Sequence, residues 1–596
     1  MNFGSFSRRI RKFPGTRGRL ASLLVAPIPG VVLAAVFSVF FAGAAQTNHP
    51  DSPAYFVDIA AKAGLTMKNV FGGVTTKKYI IETTGTGVAI FDYDNDGWPD
   101  IFIVNGTTLE GFASGQAPTS HLYHNNHDGT FTDVTEKAGL TASGWGQGVC
   151  VGDYDNDGWE DLYVTYYGKN ILYHNNGDGT FTNVSEKAGV AGTGKDWGTG
   201  CAFVDYDRDG HLDLVVANYV DFDLATTPAS GDRVSCFWKG VPVMCGPRGL
   251  PGSKNILYHN RGDGTFEDVT AKAHIDKTNG HYAFSVSTLD YDDDGWPDIY
   301  IACDSTPSIL YHNNRDGTFT DVAVVAGAAF NEDGREQAGM GTTVADFNGD
   351  GRLDIFKTNF SDDTSTLYRN NGDGTFDDVT VSAGLGLHTQ YLGWGTMFLD
   401  FDNDGWPDLL VVNGHVYPEV DSQHLGSSFQ EPRILYHNNG NATFSDISDI
   451  GGPGITAVAS SRGLAIGDLW NDGQQSAVIS NMNAPPSLLV NQVRSKNHWV
   501  TFRTVGTKSN RDGIGAKITV KAGSRLFVNE VRSGSSYISN SDMRVHFGLG
   551  LAAKIEWVQV RWPSGLTERF EGLAVDGIHT LKEGSGVQVH LPAKKL

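Results

Sequence analysis

Acidic nine-residue segments recur along the chain and could bind metal ions. Six follow the pattern D-x-D/N-x-D-G-x-x-D and begin at residues 92, 153, 205, 290, 346 and 400. Each places oxygen-bearing side chains at positions 1, 3, 5 and 9, around a glycine at position 6. Calcium takes roughly six to eight oxygen ligands in proteins, and the glycine permits the sharp turn that wraps a loop around the ion. The pattern therefore predicts about six structural calcium ions.

The predicted ligand set takes positions 1, 3, 5, 7 and 9 of each loop. In chain order these residues are Asp92, Asp94, Asp96, Trp98, Asp100, Asp153, Asp155, Asp157, Trp159, Asp161, Asp205, Asp207, Asp209, His211, Asp213, Asp290, Asp292, Asp294, Trp296, Asp298, Asp346, Asn348, Asp350, Arg352, Asp354, Asp400, Asp402, Asp404, Trp406 and Asp408. The alternative is an Asp/Asn/Gly turn without an ion. Crowded carboxylates repel one another unless a cation lies between them, which argues against that alternative.

A degenerate seventh copy begins at Asp468 and has Trp470 at position 3 and Ser476 at position 9. We expect this copy to keep its turn without binding metal. All the loops differ from an EF-hand, which needs a glutamate at position 12 and a helix on each side. The first two loops have Ile103 and Val164 at position 12, and short apolar, β-branched runs flank them. Each loop is therefore predicted to join two strands of a hairpin.

The N-terminus has the composition of an export signal. Residues 1–45 contain six basic and no acidic residues, and an apolar stretch leads to small residues at 42–45. This order predicts a cleavable signal peptide, with an uncleaved membrane anchor as the alternative. The formal charge of −23 argues against nucleic acid or anionic lipid as a partner. We expect an exported protein that is periplasmic, bound to the cell surface or secreted, without membrane contact beyond such an anchor.

The cysteines fit an exported protein. Cys236 and Cys245 close a short loop, and a disulfide between them is predicted because exported proteins mature under oxidising conditions. Cys150, Cys201 and Cys303 lie on apolar strands, where we expect buried free thiols.

A second repeat alternates with the acidic nine-residue loops, which we call metal loops after the ion binding predicted for them. The two repeats together predict propeller blades. Segments similar to LYHNNGDGTFTDV begin at residues 122, 172, 257, 310, 367 and 435. Each is typical of two short strands around a D-G turn. One repeat of about 55 residues therefore supplies four strands, the content of a propeller blade.

The ends of the repeat region predict how the ring closes. The seventh repeat has a third strand near residues 487–492 but no DGTFTDV segment after it. A matching segment, YFVDIAAKAGL, occurs instead at residues 55–65, before the first repeat. The N-terminal strand is thus expected to complete the last blade of a closed seven-bladed propeller.

Two recurring residue types have structural interpretations. Small residues stand five positions before the loops, where the innermost strands converge on the axis. They are Gly87, Gly148, Gly200, Ser285, Gly341, Gly395 and Gly463. Histidines recur at one equivalent position of the second repeat, and we expect them to be structural rather than ligands. They are His124, His174, His259, His312 and His437.

These motifs carry a resemblance. The acidic repeats resemble the FG-GAP/VCBS-type calcium-binding propeller repeats of integrin α-chains and many bacterial surface proteins. The segment NRDGIGAKITV at residues 510–520 and the following stretch to residue 565 resemble an ASPIC/UnbV domain. Together they are similar to bacterial relatives of the cartilage acidic protein family. The resemblance implies an extracellular, calcium-binding, non-catalytic protein with an integrin α-chain-like propeller.

The predicted architecture is all-β: an export signal or anchor at residues 1–45, a seven-bladed propeller at 50–495 and a small β-rich ASPIC/UnbV-like domain at 496–590. Strands are predicted near 499–504, 517–521, 526–531, 544–547 and 555–562. The RSGSSY segment at 532–537 lacks the G-x-S-x-G pattern of a nucleophile elbow. We interpret it as a serine-rich turn and assign no catalytic residues.

Function is expected at the end of the propeller opposite the metal loops, because long insertions and blade crossings meet there and loops on rigid scaffolds carry binding residues. The candidate ligand-face residues are Trp145, Trp197, His281, Tyr282, Tyr391, Trp394 and Arg462. The alternative is that these aromatics simply fill the channel. We expect a binding or adhesion module for a protein or glycan ligand. The alternatives are a glycan-active enzyme with its site at this end, or an accessory protein of an envelope complex.

Overall fold

The computed structural model describes residues 55–230, 236–422 and 426–590, and over this range it is nearly all strand. Seven antiparallel four-stranded sheets follow one another in the described chain, and we number them blades 1 to 7 in the order of their metal loops. The export segment predicted at 1–45 lies outside the described residues. Within them, none of the helices has the length and apolar character needed to cross a membrane.

In each blade the metal loop joins the first and second strands. Blade 1 consists of Val88–Phe91, Asp100–Ile103, His121–Asn125 and Phe131–Asp133. Blade 2 consists of Trp145–Gly152, Asp161–Tyr167, Ile171–Asn175 and Phe181–Asn183. Blade 3 consists of Gly198–Val204, Asp213–Asn218, Ile256–Asn260 and Phe266–Asp268. Blade 4 consists of Ala283–Leu289, Asp298–Cys303, Ile309–Asn313 and Phe319–Asp321.

The remaining blades repeat this arrangement, and blade 7 draws its fourth strand from the N-terminus. Blade 5 consists of Thr342–Ala345, Asp354–Lys357, Thr366–Asn370 and Phe376–Asp378. Blade 6 consists of Gly393–Leu399, Asp408–Asn413, Ile434–Asn438 and Phe444–Asp446. Blade 7 consists of Ser461–Gly467, Ser476–Asn481, Ser487–Asn491 and Phe56–Asp58. Phe56 pairs with Asn491, so the predicted ring closure is confirmed.

Short helices and two small sheets complete the propeller. The α-helices are Ala60–Ala63, Thr135–Ala138, Ser185–Ala188, Ala323–Ala326 and Pro453–Thr456. The 3-10 helices are Ile80–Glu82, Ile275–Thr278, Pro418–Ser422 and Ser448–Ile450. The small sheets pair Cys236–Trp238 with Val241–Val243, and Glu431–Pro432 with Val458–Ala459.

The recurring glycines let the innermost strands approach one another. A Cβ on Gly341 would lie 2.1 Å from the Trp394 carbonyl oxygen of the next blade, and one on Gly463 would lie 2.6 Å from that of Thr86. Real Cβ atoms do not approach this closely, so a larger residue would force neighbouring blades apart. The predicted close approach of the backbone at the axis is therefore present.

The C-terminal region forms two sheets that pack together around a common core. One sheet contains Val545–Gly550, His498–Val505 and Gly577–Lys582. The other contains Arg525–Glu530, Lys517–Ala522, Ile555–Arg561, Thr567–Phe570 and Val587–Gln588. Trp562, which is 1% exposed, is part of this core.

Residues 532–542 leave the C-terminal domain and enter the propeller channel, and we call them the plug segment. Its backbone pairs with two blades: Ser536 N–H donates to the Thr342 carbonyl at 2.8 Å, and Asn540 N–H donates to that of Val88 at 2.9 Å. Further hydrogen bonds reach blades 2, 3, 4, 6 and 7. The serine-rich turn expected at 532–537 is thus part of a longer internal segment, and this plug segment as a whole contacts every blade.

The C-terminal domain covers the end of the channel where the metal loops lie, and we call this the loop end. Arg525 stacks on Trp406 with 3.8 Å between guanidinium carbon and ring centroid, and it donates to the Gly405 carbonyl at 2.7 Å. Lys517 pairs with Asp293 at 3.0 Å. The domain therefore contacts the loops of blades 4 and 6 directly.

The cysteines are paired more extensively than the sequence predicts. Cys236 and Cys245 form a disulfide, as their spacing predicts. Cys150 and Cys201 also form a disulfide, with Cα atoms 5.7 Å apart, so the expectation of free thiols was wrong for these two. They lie on the innermost strands of blades 2 and 3, which the close approach at the axis brings together. Cys303 is buried and free within the described residues.

Candidate functional site

The metal loops curl because positions 4 and 6 adopt left-handed backbone conformations. At position 4, φ is 54° for Asn95 and 61° for Asn156, while blade 5 has Gly349 with φ 72°. Asn and Gly tolerate this conformation better than other residues. Position 6 is a glycine in all six loops that match the pattern, with φ between 85° and 96°. The turn that the calcium pattern requires is therefore built into these loops.

The carboxylates at positions 1 and 9 hold the loop through backbone hydrogen bonds. In blade 2, Asp153 accepts the N–H groups of Asp157 at 3.0 Å and Gly158 at 2.7 Å. Asp161 at position 9 accepts the N–H of Tyr154 at 3.2 Å and that of Asn175 at 2.7 Å. Each loop is therefore shaped by hydrogen bonds to its own acidic residues.

The electrostatics of the loops favour a cation. Burial, followed by repulsion from Asp209 and Asp207, raises the pKa of Asp205 to about 7. Burial likewise raises the pKa of Asp298 to about 8. Asp205 is 3% exposed, and within the described structure its Oδ1 atom has no hydrogen-bond partner. A divalent ion among these oxygens would satisfy that atom and stabilise the ionised carboxylates, so the donor set fits calcium.

The third-strand histidines lie at the metal loops. His124 Nδ1 is 3.3 Å from Asp94 Oδ2 and 3.4 Å from Asp100 Oδ1. The histidines of blades 2, 3 and 4 make the same pair of contacts, and His437 of blade 6 contacts Asp408 at 3.0 Å. In blade 1, donor atoms of Asp94, Asp100 and His124 all lie within 4.8 Å of one another, close enough to share an ion.

The residues at position 7 contribute to the loops mainly through their backbone. Trp98 N–H donates to Asp96 Oδ1 at 2.8 Å, and Trp159 N–H donates to Asp157 Oδ1 at 2.9 Å. The Trp159 ring packs over Gly177 in the D-G turn of the same blade, where an added Cβ would lie 2.8 Å from it. The backbone of position 7 therefore helps to close the loop. The Trp159 side chain joins the two hairpins of its blade.

The seventh loop keeps its turn. Asp468 accepts the N–H groups of Asp472 at 3.0 Å and Gly473 at 2.8 Å, as in the other loops. Trp470 at position 3 packs on Phe131 of blade 1, with 5.8 Å between ring centroids. An aromatic side chain thus stands where the other loops have an oxygen donor. That the seventh loop binds no metal remains a prediction.

Sequence reasoning missed a set of asparagines that link neighbouring blades. The last residue of each third strand donates its side-chain N–H to the carbonyl of loop position 2 in the preceding blade. Asn175 contacts Tyr93 at 2.8 Å in this way, and Asn125 contacts Leu469 at 2.9 Å across the ring closure. The recurring N of the LYHN motif was a visible signal for this link.

At the other end of the channel, which we call the mouth, the structure gathers some of the predicted ligand-face residues. Trp145, Trp197, Tyr282 and Trp394 belong to one apolar cluster around the tip of the plug segment. Trp197 is 0% exposed and Trp394 is 3% exposed. His281 instead bonds to the Pro307 carbonyl. Of the seven candidates, Trp394 lines the cavity at the mouth, and the other six lie outside its lining.

Arg462 supports the mouth. It is fully buried, its guanidinium lies 4.1 Å from the Trp394 ring centroid, and it donates to the carbonyls of Thr83 at 3.0 Å and Ser461 at 2.8 Å. Burial lowers its pKa to about 9. The guanidinium also donates to Ser460 Oγ at 3.1 Å. Arg462 therefore joins blades 6, 7 and 1 through hydrogen bonds that go mainly to backbone carbonyls.

The mouth contains a cavity of about 250 Å³. Its walls are mainly aromatic and apolar, and Asp304 is the one acidic residue among the described lining residues. The lining consists of Ile80, Thr83, Tyr219, Met244, Gly246, Pro247, Phe284, Asp304, Ser305, Ala338, Met340, Phe360, Trp394, Val416 and Tyr417. Asp304 accepts hydrogen bonds from Tyr219 Oη at 2.5 Å and Ser305 Oγ at 2.8 Å.

A disulfide-closed hairpin covers part of the mouth, and we call residues 236–245 the lid. The Trp238 ring packs on His415, with 4.6 Å between ring centroids, and Lys239 pairs with Asp362 at 2.8 Å. Met244 reaches the cavity wall. The insertion that the sequence places at this end is thus part of the cavity.

Family models match both parts of the chain. FG-GAP-like repeats match residues 92–164, 153–216, 245–301, 290–357 and 346–411, and the ASPIC and UnbV model matches residues 506–588. This is an FG-GAP-repeat protein with a C-terminal ASPIC and UnbV domain. It is homologous to cartilage acidic protein 1 from Homo sapiens, with 26% identity over 80% of this chain and 69% of the human protein. The Mus musculus protein is also 26% identical, over 80% of this chain and 70% of its own length.

Solved structures of other proteins show limited similarity. The BP39L lectin from Burkholderia pseudomallei aligns with 68% of this chain and 95% of its own, at 8% identity and a TM-score of 0.41. Rhamnogalacturonan lyase YesW aligns with 74% of this chain and 75% of its own, at 12% identity and a TM-score of 0.35. These scores are too low to support any statement about ligands or activity.

Proposed function

We propose that this FG-GAP-repeat protein is an exported, calcium-stabilised binding module whose ligand enters the cavity at the mouth. The observation that carries the proposal is the aromatic cavity of about 250 Å³ between the plug tip and the lid. Binding sites are typically concave and apolar, with a few polar groups that orient the ligand. Tyr219 and Asp304 supply such groups here.

The size and lining of the cavity suit the end of a glycan or peptide rather than a long extended segment. A volume of this size lies just below the range of about 300–1,000 Å³ for small-molecule pockets, so it holds one sugar ring or one side chain. Glycoside hydrolysis commonly uses a pair of carboxylates, whereas the described lining supplies Asp304 alone. Binding is therefore favoured over glycan cleavage.

Array binding tests the mouth. Labelled protein comprising residues 46–596 would be applied to glycan and peptide arrays beside an Ala338→Trp variant, in which the new indole fills the cavity. Ala113→Trp, on an exposed loop, is the matched control. Loss of the array signals in Ala338→Trp, with melting temperature and control unchanged, supports the proposal. Signals that persist in a folded Ala338→Trp variant contradict it.

Calcium titration tests the metal part of the proposal separately. Six calcium ions are expected to bind chelator-stripped protein through the carboxylates of positions 1, 3, 5 and 9, with Asn348 replacing one carboxylate. Extracellular calcium modules have dissociation constants near 10⁻⁴–10⁻³ M, roughly. Calorimetry that finds fewer than three ions, or no rise in melting temperature, would refute it.

A further inference from the structure

The metal loops are of two chemical kinds, distinguished by the residue that the third strand presents to them. In blades 1, 2, 3, 4 and 6 all four acidic positions are aspartate and the third-strand residue is histidine. In blade 5, position 3 is Asn348 and the third-strand residue is Arg369. In blade 7, positions 3 and 9 are Trp470 and Ser476, and the third-strand residue is Val490. Histidine therefore accompanies a complete set of carboxylates and is replaced wherever that set is incomplete.

The imidazoles face the carboxylates with short, repeated distances. The Nδ1 atom of His259 lies 3.1 Å from Asp213 Oδ1 and 3.5 Å from Asp207 Oδ2. Donor atoms of Asp207, Asp209 and His259 all lie within 4.8 Å of one another. Similar triads occur in blades 1, 2, 4 and 6. One ion could therefore contact both the nitrogen and at least two of the oxygens.

Two further observations identify donor atoms in these loops that have no hydrogen-bond partner. The Nδ1 atoms of His124 and His174 are buried, and within the described residues they make no hydrogen bond of acceptable geometry. In blade 3, the nine-tenths-buried Asp205 has an unpartnered Oδ1 atom inside the same loop. In the described structure of blade 1, Asp94 Oδ1 is unpartnered as well as His124 Nδ1, so a nitrogen and an oxygen donor are available at one loop. In blade 3, His259 Nδ1 is hydrogen-bonded with Asp213 Oδ1 at 3.1 Å.

Blade 5 provides the contrast within the same chain. The Arg369 guanidinium turns away from the loop and pairs with Asp377 at 2.8 Å. Asn348 Nδ2 donates to Asp350 Oδ2 at 3.1 Å. This loop therefore offers oxygen donors and a weaker negative charge, without an imidazole.

We propose that the five third-strand histidines are metal ligands, so that their loops bind a first-row transition ion such as Mn²⁺ through nitrogen and oxygen, while blade 5 stays an oxygen-only calcium site. Imidazole suits transition ions, whereas calcium takes oxygen ligands. The inference rests on the proposed metal binding of the loops and adds the kind of ion that each loop selects. Calcium can still occupy the five loops through their carboxylates when no transition ion is present.

Electron paramagnetic resonance on Mn²⁺ tests the nitrogen ligand directly. Chelator-stripped protein comprising residues 46–596 would be loaded with Mn²⁺ and dialysed, and the ions counted by mass spectrometry. Five tightly held ions with electron spin-echo modulation from a coordinated ¹⁴N are expected. Mn²⁺ bound without nitrogen coupling would overturn the inference and leave calcium binding intact.

Single substitutions test whether an individual histidine contributes to Mn²⁺ affinity at its own loop. His174→Gln should lower Mn²⁺ affinity at one loop by about tenfold or more, the size of losses at metal sites with a disturbed ligand, and reduce the tightly held count by one. Its calcium count, measured without Mn²⁺, should stay the same. His121→Gln is the matched control, because His121 pairs with Asp133 at 2.6 Å away from the loop carboxylates. A paired Asn348→Asp and Arg369→His variant should gain one tightly held Mn²⁺.

The outcomes separate this inference from the proposed function. An unchanged Mn²⁺ count in His174→Gln would show that the histidine is a hydrogen-bond partner of Asp161 rather than a ligand, and would overturn the inference. Protein that binds calcium but holds Mn²⁺ no more tightly would overturn it as well. Protein that binds neither ion would overturn both the inference and the calcium part of the proposed function, whereas array binding at the mouth would be unaffected.

Discussion

At the loop end of the channel, the C-terminal domain closes the propeller with charged side chains and with a plug segment whose hydrogen bonds reach all seven blades. At the mouth, aromatic packing and the disulfide-closed lid close the same channel around a cavity. Ionic contacts weaken when their counter-ions or protonation states change, whereas apolar packing does not depend on either. Together with the proposed function, the comparison predicts ion-dependent stability at the loop end and ion-independent packing at the mouth.

Removing divalent ions should have the largest effect and should act first at the loop end. A site at tenfold saturation contributes about 1.4 kcal/mol, so six sites contribute about 8 kcal/mol to the free energy of unfolding. Chelation should lower the melting temperature by about 10 °C or more. Hydrogen exchange should accelerate at the amides of Ser536 and Asn540 in the plug segment before it accelerates in the lid. Equal acceleration at both ends would contradict the distinction between them.

The tip of the plug segment connects the two ends, and its truncation should have the next largest effect. Tyr537 is 0% exposed, and its ring lies 4.7 Å from that of Trp394 and 5.6 Å from that of Phe284. Tyr537→Ala should cost about 3–5 kcal/mol in urea unfolding, as for other large-to-small changes in aromatic cores.

Tyr537→Phe is the matched control for that truncation. Within the described residues, Tyr537 Oη has no hydrogen-bond partner, so its removal should change the free energy of unfolding by less than about 1 kcal/mol. A Tyr537→Phe variant as unstable as Tyr537→Ala would mean that the hydroxyl, rather than the ring, holds the channel together.

The asparagine links should have a smaller effect at the loop end. Asn313 is 1% exposed and donates to the carbonyls of Tyr206 at 2.8 Å and Pro297 at 3.2 Å. Asn313→Ala leaves these buried carbonyls without that donor and should cost about 2 kcal/mol. The adjacent exposed Asn314 bonds to Thr318, and Asn314→Ala should cost less than about 0.5 kcal/mol. Equal losses in urea unfolding would show that the inter-blade bonds contribute little.

Much of the loop end could be predicted from sequence because its chemistry repeats locally. The acidic loops, the hairpins and the ring closure by residues 55–65 each leave a pattern in consecutive residues, and the structure has the same blades. The disulfide between Cys150 and Cys201 was missed, although its separation of 51 residues, close to one repeat, was a usable signal.

The plug segment and the cavity could not be predicted in the same way. Ser536 and Asn540 pair with distant strands through backbone atoms, and backbone pairing leaves little trace in side-chain identity. The cavity wall combines Phe284, on the first strand of blade 4, with Tyr219 and Tyr417, which follow the second strands of blades 3 and 6. Such a site exists only after the ring has closed, so single-repeat patterns do not reveal it.

Acid should weaken the loop end through Glu583, which holds a turn of the C-terminal domain against blade 3. Burial opposes ionisation of Glu583, but hydrogen bonds from Ser564 and from the N–H groups of residues 507–509 outweigh it and lower the pKa to about 2. A carboxylate with a lowered pKa in the folded state stabilises the protein above its unfolded-state pKa, near 4.5. That stabilisation is lost as the pH falls from about 4.5 towards 2.

Glu583→Gln should therefore cost about 1.5 kcal/mol at neutral pH, the size of one net hydrogen bond to a charged group, and should flatten the pH dependence of urea unfolding below about pH 4.5. The turn at residues 507–509 contacts the blade 3 loop, since a Cβ on Gly210 would lie 2.5 Å from the Lys508 carbonyl oxygen. The amides of the blade 3 loop should consequently exchange hydrogen faster in this variant, while the lid amides keep their protection. A Glu583→Gln variant with unchanged acid sensitivity would place the acid-labile group elsewhere, and faster exchange in the lid would show that the mouth depends on this contact too.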